Sequence, residues 1–284
     1  VTIPGIHHVT AMASDPQRNL DFYTGVLGLR LVKLTVNFDD PGTYHFYYGD
    51  QEGTPGTIMT FFPWPGSAHG HVGAGQVSQV GFAVPSGGMD HWVGTLQRQP
   101  DSDGALRFTD PDGLPLRIEP TGEGEGHAIQ RFANVTLTET ETEPTADLLT
   151  TGMGFQSFGN NSFRSANDAV HVNDQPEARA GRMGAGTVHH VAFRAETDAR
   201  QLEWRQILMK RGLHVTEVLD REYFHSIYFR EPGGVLFEIA TDPPGFAIDE
   251  LPAELGIHLK LPPWLEPNRA EIERKLPNLR LPAC

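Results

Sequence analysis

The chain has one cysteine, Cys284, and it stands at the last of 284 positions. Internal disulfides are thereby excluded, and a lone terminal thiol offers little for nucleophilic catalysis or thiolate metal binding. Positive charge is also scarce: 22 Lys and Arg against 36 Asp and Glu leave a formal charge of −14. Such a surface offers no basic stripe to a phosphate backbone, so no nucleic-acid partner is expected, and an anionic substrate would need local positive charge. Long apolar runs are missing too. None approaches the roughly 20 residues that span a bilayer, and the opening VTIPGIHH lacks the basic and apolar regions of a secretory leader. No membrane partner is expected, and the cytoplasm is the expected compartment.

What is present is repetition. GIHHVTAMASDPQRNLDFYTGVLGLRLVK reads as strand, helix, strand, with Asp15 as N-cap, Pro16 at the first helical position, Leu20, Tyr23 and Leu27 on one stripe, and Gly28 as the stop. YHFYYGD and GTIMTFF, rich in aromatic and β-branched residues, complete a βαβββ unit. The plan returns in VSQVGFAV with MDHWVGTLQ and LPLRIEP, in ANVTLTE with TADLLTTGMGFQ, and in VHHVAFRA with ARQLEWRQILMKRGL and VLFEIAT. Val9, Val80, Val135 and Val191 anchor the four first strands. The expected fold class is therefore α+β, with four βαβββ modules in two halves. Glycine-rich TGEGEGHA at 121–128 is the junction, giving an N-terminal half 1–124, a C-terminal half 125–244 and a tail 245–284 with one short helix after Pro267, packed over a sheet.

Strand alternation then sorts the side chains. In HHVAF, Val191 and Phe193 face the helix, so His190 and Ala192 face the concave side; in HHVT, Val9 leaves His8 and Thr10 there. The first histidines, His7 and His189, lie at the strand entrances. Glu238 falls opposite the apolar face of Val235, Phe237 and Ile239, where a carboxylate is costly unless paired or metal-bound. At the matching positions Gln79 of module two replaces His190, Asn134 of module three replaces His8, and Thr60 of module one and Arg117 of module two replace Glu238, while AVHVND of module three has no clear carboxylate counterpart. Only modules one and four carry ligand-type residues. Two imidazoles and a carboxylate can hold one face of an octahedral cation and leave positions open for substrate and dioxygen, which requires modules one and four to share the metal cavity. His69 and His71, in PGSAHGHVGAG, are expected in a solvated or lid-like loop. His171 faces no identified partner, and His45, His91, His127, His214, His225 and His258 are read as structural or surface residues.

The four units with inward His, His and Glu resemble the vicinal oxygen chelate superfamily of glyoxalases, bleomycin resistance proteins and dioxygenases. YHFYYGDQEGTPGTIMTFFP, REYFHSIYFREPGGVLFEIA and LGIHLKLPP are similar to segments of its ring-cleaving dioxygenases acting on hydroquinones. The resemblance implies Fe(II), with Mn(II) sharing its ligand preferences, on His8, His190 and Glu238, surrounded by His7, Thr10, His189, Arg221 and Tyr228. It implies a small aromatic substrate and O2. His189 and His7 are candidates to move protons, Tyr228 to hydrogen-bond the bound hydroxyl or oxygen, and Arg221 to orient Tyr228 or balance negative charge. Thr10 and Phe224 are candidates to shape the ring pocket. Alternatives are a glyoxalase-like lyase or thiol transferase, which needs a fourth protein ligand where Thr60, Gln79 and Arg117 stand, and a non-catalytic binder of aromatic compounds, which needs no metal. Assembly into a homo-oligomer is compatible with the sequence.

Overall fold

The computed structural model describes residues 2–122, 124–166 and 168–282. Cys284, and Glu123 within the 121–128 junction, lie outside them. Each module grows from local signals. In module one, β1 (Ile6–Ala13) runs to Asp15, whose carboxylate accepts from the Arg18 N–H at 2.9 Å and opens α1 (Pro16–Leu20). The helix continues as a π-helical stretch over Asp21–Val26, buries Leu20, Tyr23 and Leu27, and stops at Gly28, where φ of +66° favours a residue without Cβ. Strands β2 (Arg30–Asn37), β3 (Asp40–Gly49) and β4 (Ile58–Pro63) follow.

Module two contributes β5 (Gln76–Pro85), α2 (Met89–Leu96), β6 (Leu106–Thr109) and β7 (Pro115–Thr121), one strand fewer than the repeat predicts. Its helix ends on left-handed Gln97, and the QPDSDGA stretch that follows has the turn chemistry that disfavours a strand. Module three supplies β8 (Arg131–Glu139), α3 (Glu143–Asp147), β9 (Gln156–Gly159), β10 (Ser162–Ser165) and β11 (Asp168–Asp174). Module four supplies β12 (Val188–Ala195), α4 (Asp198–Lys210), β13 (Leu219–Asp220), β14 (Phe224–Arg230) and β15 (Leu236–Pro244).

Two sheets result, and neither is made by one half of the sequence. Modules one and four form an eight-stranded sheet, β13-β14-β15-β12-β1-β4-β3-β2, while modules two and three form a seven-stranded sheet, β6-β7-β5-β8-β11-β10-β9. The central pair of each sheet is antiparallel, β1 with β12 and β5 with β8, and the helices bury Leu20, Tyr23, Trp92, Leu148, Trp204 and Leu208 against the sheets. The loop carrying His69 and His71 is not a lid. It pairs with the other inter-module linker through reciprocal His71 and Arg182 backbone bonds of 2.8 Å, and Gly73 and Gly184 permit an approach that a Cβ would block. The tail carries α5 (Arg269–Lys275) and docks on β2. Lys33, fully buried, forms 2.5 Å ion pairs with Asp249 and Glu250, and the Lys260 N–H donates to Leu34 O. No described helix is long and apolar enough to cross a membrane.

Candidate metal centre

The ladder between β1 and β12 explains the doubled histidines. Ile6 pairs with Phe193 and His8 with Ala192, so His7 is an extra residue; Thr10 pairs with His190 and Ala11 with Val188, so His189 is another. Each first histidine is the inserted residue of a β-bulge, which interrupts simple alternation and tilts the second histidine inward. Parallel pairing of Ala192 with Glu238 then brings β15 alongside.

His8, His190 and Glu238 converge. Glu238 Oε2 lies 3.3 Å from His8 Nε2 and 2.9 Å from His190 Nε2, and the two Nε2 atoms are 3.3 Å apart. Three donors about 2.1 Å from a common ion and at right angles to one another stand about 3.0 Å apart, so this triangle has the size of a coordination face. Among the described residues no other group of three or more His, Cys, Asp and Glu has metal-binding geometry. Glu238 is fully buried, and its Oε2 has no hydrogen-bond partner, an orphan that a cation would satisfy. Burial works against its charge, yet the flanking His8 and His190 rings hold the carboxyl well below the usual carboxylate range. Ser226 Oγ donates to its other oxygen at 2.5 Å.

The first histidines act on the second. His7 Nδ1 lies 2.9 Å from His8 Nδ1, and His189 Nδ1 lies 2.7 Å from His190 Nδ1. If Nε2 of each inner ring is to offer its lone pair to a cation, its Nδ1–H must donate outward, and the neighbouring imidazole must accept. That needs neutral neighbours. Burial, reinforced by the adjacent rings, depresses His7 far below the usual histidine value and brings His189 down to about 3. Both therefore accept at Nδ1 and carry hydrogen on Nε2.

A cavity of about 350 Å³ opens over this face. Thr10, His189, Arg221, Phe224 and Tyr228 all line it, whereas His7 faces a separate space of about 360 Å³ behind Phe224. Phe224 packs at 5.0 Å from the His8 ring and 5.2 Å from His7, forming the wall between the two spaces. Burial and nearby Glu238 raise the Tyr228 phenol, so it stays protonated; Arg221 Nε donates to its oxygen at 3.4 Å, leaving the phenolic hydrogen to point elsewhere. Arg221 also meets Asp39 at 3.2 Å. Aromatic Phe38, Tyr47, Phe62 and Trp64 complete a lining suited to a flat ring. A larger cavity, about 580 Å³, lies between residues 28–31 and the tail and holds no cluster of acid–base groups.

Two histidine readings need correction. His45 is neither a surface nor a core residue: it sits in the cavity wall, with Nε2 2.9 Å from Thr60 Oγ1. Its inward direction was readable from strand alternation, but the bulged register that brings β3 around the cavity was not. His171 does have a partner, Ser162 Oγ at 2.8 Å from its Nδ1, and its pairing with Thr136 puts it at the counterpart of Glu238 in module three.

The model of the Glyoxalase/Bleomycin resistance protein/Dioxygenase superfamily matches residues 5–118 and 131–239. The chain is 47% identical over 297 residues to MhqO of Bacillus subtilis (strain 168), a candidate ring-cleaving dioxygenase by name, covering 96% of this chain and 95% of that one. It is 30% identical over 313 residues to the chlorohydroquinone/hydroquinone 1,2-dioxygenase of Sphingobium indicum, with 96% of each chain covered. Among solved structures, a crystal structure of a candidate dioxygenase from Bacillus subtilis superposes with a TM-score of 0.94 at 45% identity, covering 100% of this chain and 99% of the other.

Proposed function

The chain belongs to the glyoxalase/bleomycin resistance protein/dioxygenase superfamily, and from that premise we propose that it is a non-haem, Fe(II)-dependent ring-cleaving dioxygenase of the extradiol type. Its substrate is a hydroquinone-type or related dihydroxy aromatic ring, opened with O2. The observation that carries this reading is the open triangle of His8, His190 and Glu238 beneath an aromatic-lined cavity. Relatives named as ring-cleaving dioxygenases, one of them for hydroquinones, support the substrate class.

The donor set of two imidazoles and a carboxylate fits Fe(II), with Mn(II) next, and the bound ion would supply Lewis acidity toward a phenol and electron exchange with dioxygen. The protein's own groups divide the remaining work. Phe224 and the other aromatic walls hold the ring flat and exclude water. Tyr228 keeps its proton and donates from Oη into the cavity, while Arg221 fixes the phenol and balances the charge of an ionised substrate oxygen. His189 presents Nε2–H to the cavity and donates a hydrogen bond from there to a substrate oxygen. His7 faces away from the substrate and acts through His8 as a positioning residue. Thr10 shapes the floor.

The test is reconstitution with Fe(II) without air, metal analysis, and then oxygen uptake with a panel of hydroquinones and catechols. The expected result is about one bound ion per chain, oxygen consumed stoichiometrically with a hydroquinone, and a ring-opened acid as product. A chain holding one Fe(II) that consumes no oxygen with any dihydroxybenzene would defeat the proposal.

A further inference from the structure

His45 is held by a chain of hydroxyls that ends at the candidate metal site. Its Nε2 stands 2.9 Å from Thr60 Oγ1, and the Thr60 hydroxyl donates to Thr10 Oγ1, also at 2.9 Å. With the Thr60 hydrogen directed at Thr10, the Thr60 oxygen accepts from His45 Nε2–H. In that arrangement Nδ1 carries the lone pair. Among the described residues nothing bonds to this Nδ1, and it is not sealed from the cavity that the ring lines. The imidazole is clamped between Tyr47 at 4.1 Å and Phe62 at 4.3 Å, so it presents one acceptor in a fixed direction. Burial depresses its basicity far below the usual histidine value, which keeps it an acceptor.

Its place in the sheet matters as much. Tyr228 is on β14 and His45 on β3, with β15, β12, β1 and β4 between them, yet the curl of the sheet puts both on one cavity. The triad residues come from the strands in between. A ring with one oxygen over the triad is thus flanked by a donor wall, Tyr228 and Arg221, and by an acceptor wall, His45. In a catechol the two hydroxyls are adjacent and can both reach the triad side. In a hydroquinone they stand at opposite ends of the ring, so the second hydroxyl must find its partner elsewhere.

The geometry points to His45 as the residue that reads the second hydroxyl of the substrate, its Nδ1 accepting a hydrogen bond from the phenolic group remote from the triad. This rests on the dioxygenase reading above and deepens it from ring cleavage to hydroquinone selection. A buried site built to bond a hydroxyl discriminates against an analogue that lacks the donor.

The experiment is an anaerobic binding titration of the Fe(II)-loaded protein, where no turnover occurs, with hydroquinone, phenol and 4-methoxyphenol. The last two lack the second donor, one being smaller than hydroquinone and one larger. Wild type is expected to bind hydroquinone about 10-fold more tightly than either analogue. His45→Phe is expected to bind all three within about twofold, and His45→Gln, whose amide oxygen can accept, to restore the preference. A His45→Phe chain that keeps the tenfold preference overturns the inference, and so does a wild type that binds the three phenols equally; the latter needs no variant to fold. A wild type that binds none of them overturns the dioxygenase reading itself, a result distinct from both.

Discussion

The two sheets share one backbone plan and differ in what it holds. In the β5–β8 ladder, Ser78 and Ala133 are the inserted residues, at the positions where β1–β12 inserts His7 and His189. The residues after them are Gln79 and Asn134, the counterparts of His190 and His8, and Arg117 pairs with Gly81 as Glu238 pairs with Ala192. The bulges therefore belong to the architecture and not to metal binding. The second sheet also keeps an opening, of about 420 Å³, but two of its ligand positions hold Arg117 and Asn134, which face a carboxylate: Glu119 lies 2.6 Å from Arg117 Nε and accepts from Asn134 Nδ2. A carboxylate with a guanidinium beside it already has its cation, whereas Glu238 Oε2 faces only the two imidazoles and has no hydrogen bond.

This contrast can be broken most sharply at Glu238. Glu238→Gln should lower bound metal from about one ion to under a tenth and reduce oxygen uptake on the order of 10³-fold, since several kcal/mol of Lewis-acid stabilisation depend on it, while Arg117→Gln leaves metal content unchanged; metal analysis on both checks it. Next, His7→Ala and His189→Ala should each weaken metal affinity roughly 10–100-fold by releasing the neighbouring ring, whereas Ser78→Ala should do nothing, as competition with a chelator would show. The converse experiment builds the set into the second sheet. A chain carrying Gln79→His, Asn134→His and Arg117→Glu should take up a second Zn(II), more weakly than the first by about 10–100-fold because no imidazole stands at residues 78 and 133 to orient the new ligands; calorimetric stoichiometry reads it.

The smallest effect lies where the modules meet. The β6–β7 turn carries Asp110, which accepts from the Asp112 and Leu114 N–H groups; the β14–β15 turn carries Glu231, which accepts from those of Gly233 and Val235. The Asp112 carboxylate beside Asp110 is paired with Arg18, whereas the carboxylate beside Glu231 has no such partner. Glu139 is buried, both of its oxygens lack partners, and burial together with Glu231 pushes its carboxyl up to about 8. Its folded pKa is thus above the unfolded value, so the folded state binds more protons between about pH 4.5 and 8 and stability falls as pH rises through that window. Glu139→Gln should raise the melting temperature by about 1–3 °C at pH 8 and by less at pH 5. An equal shift at both pH values would refute the assignment.

The paired histidines, the capped helix after Asp15 and the isolated glutamate in VLFEIAT were legible because strand alternation and helix capping are local rules. His45 and His171 were missed for a common reason: each is an ordinary strand histidine until neighbouring strands place it. His45 gains its role from Thr60 and the curl of the sheet, and His171 from its register with Thr136. The missing strand of module two was visible in QPDSDGA, but the strength of the repeat argued for a strand there.

By itself, the sequence determined the four modules, the chemistry available in each and the candidate ligands, because side-chain type and two-residue periodicity are written residue by residue. Only the tertiary structure decided the bulged register in which module one meets module four, that His7 turns from the cavity while His45 faces it, and which carboxylates have a cation beside them. Those outcomes depend on register, bulges and sheet curvature, which are set by contacts between residues as distant in sequence as His8 and His190 and leave no local mark.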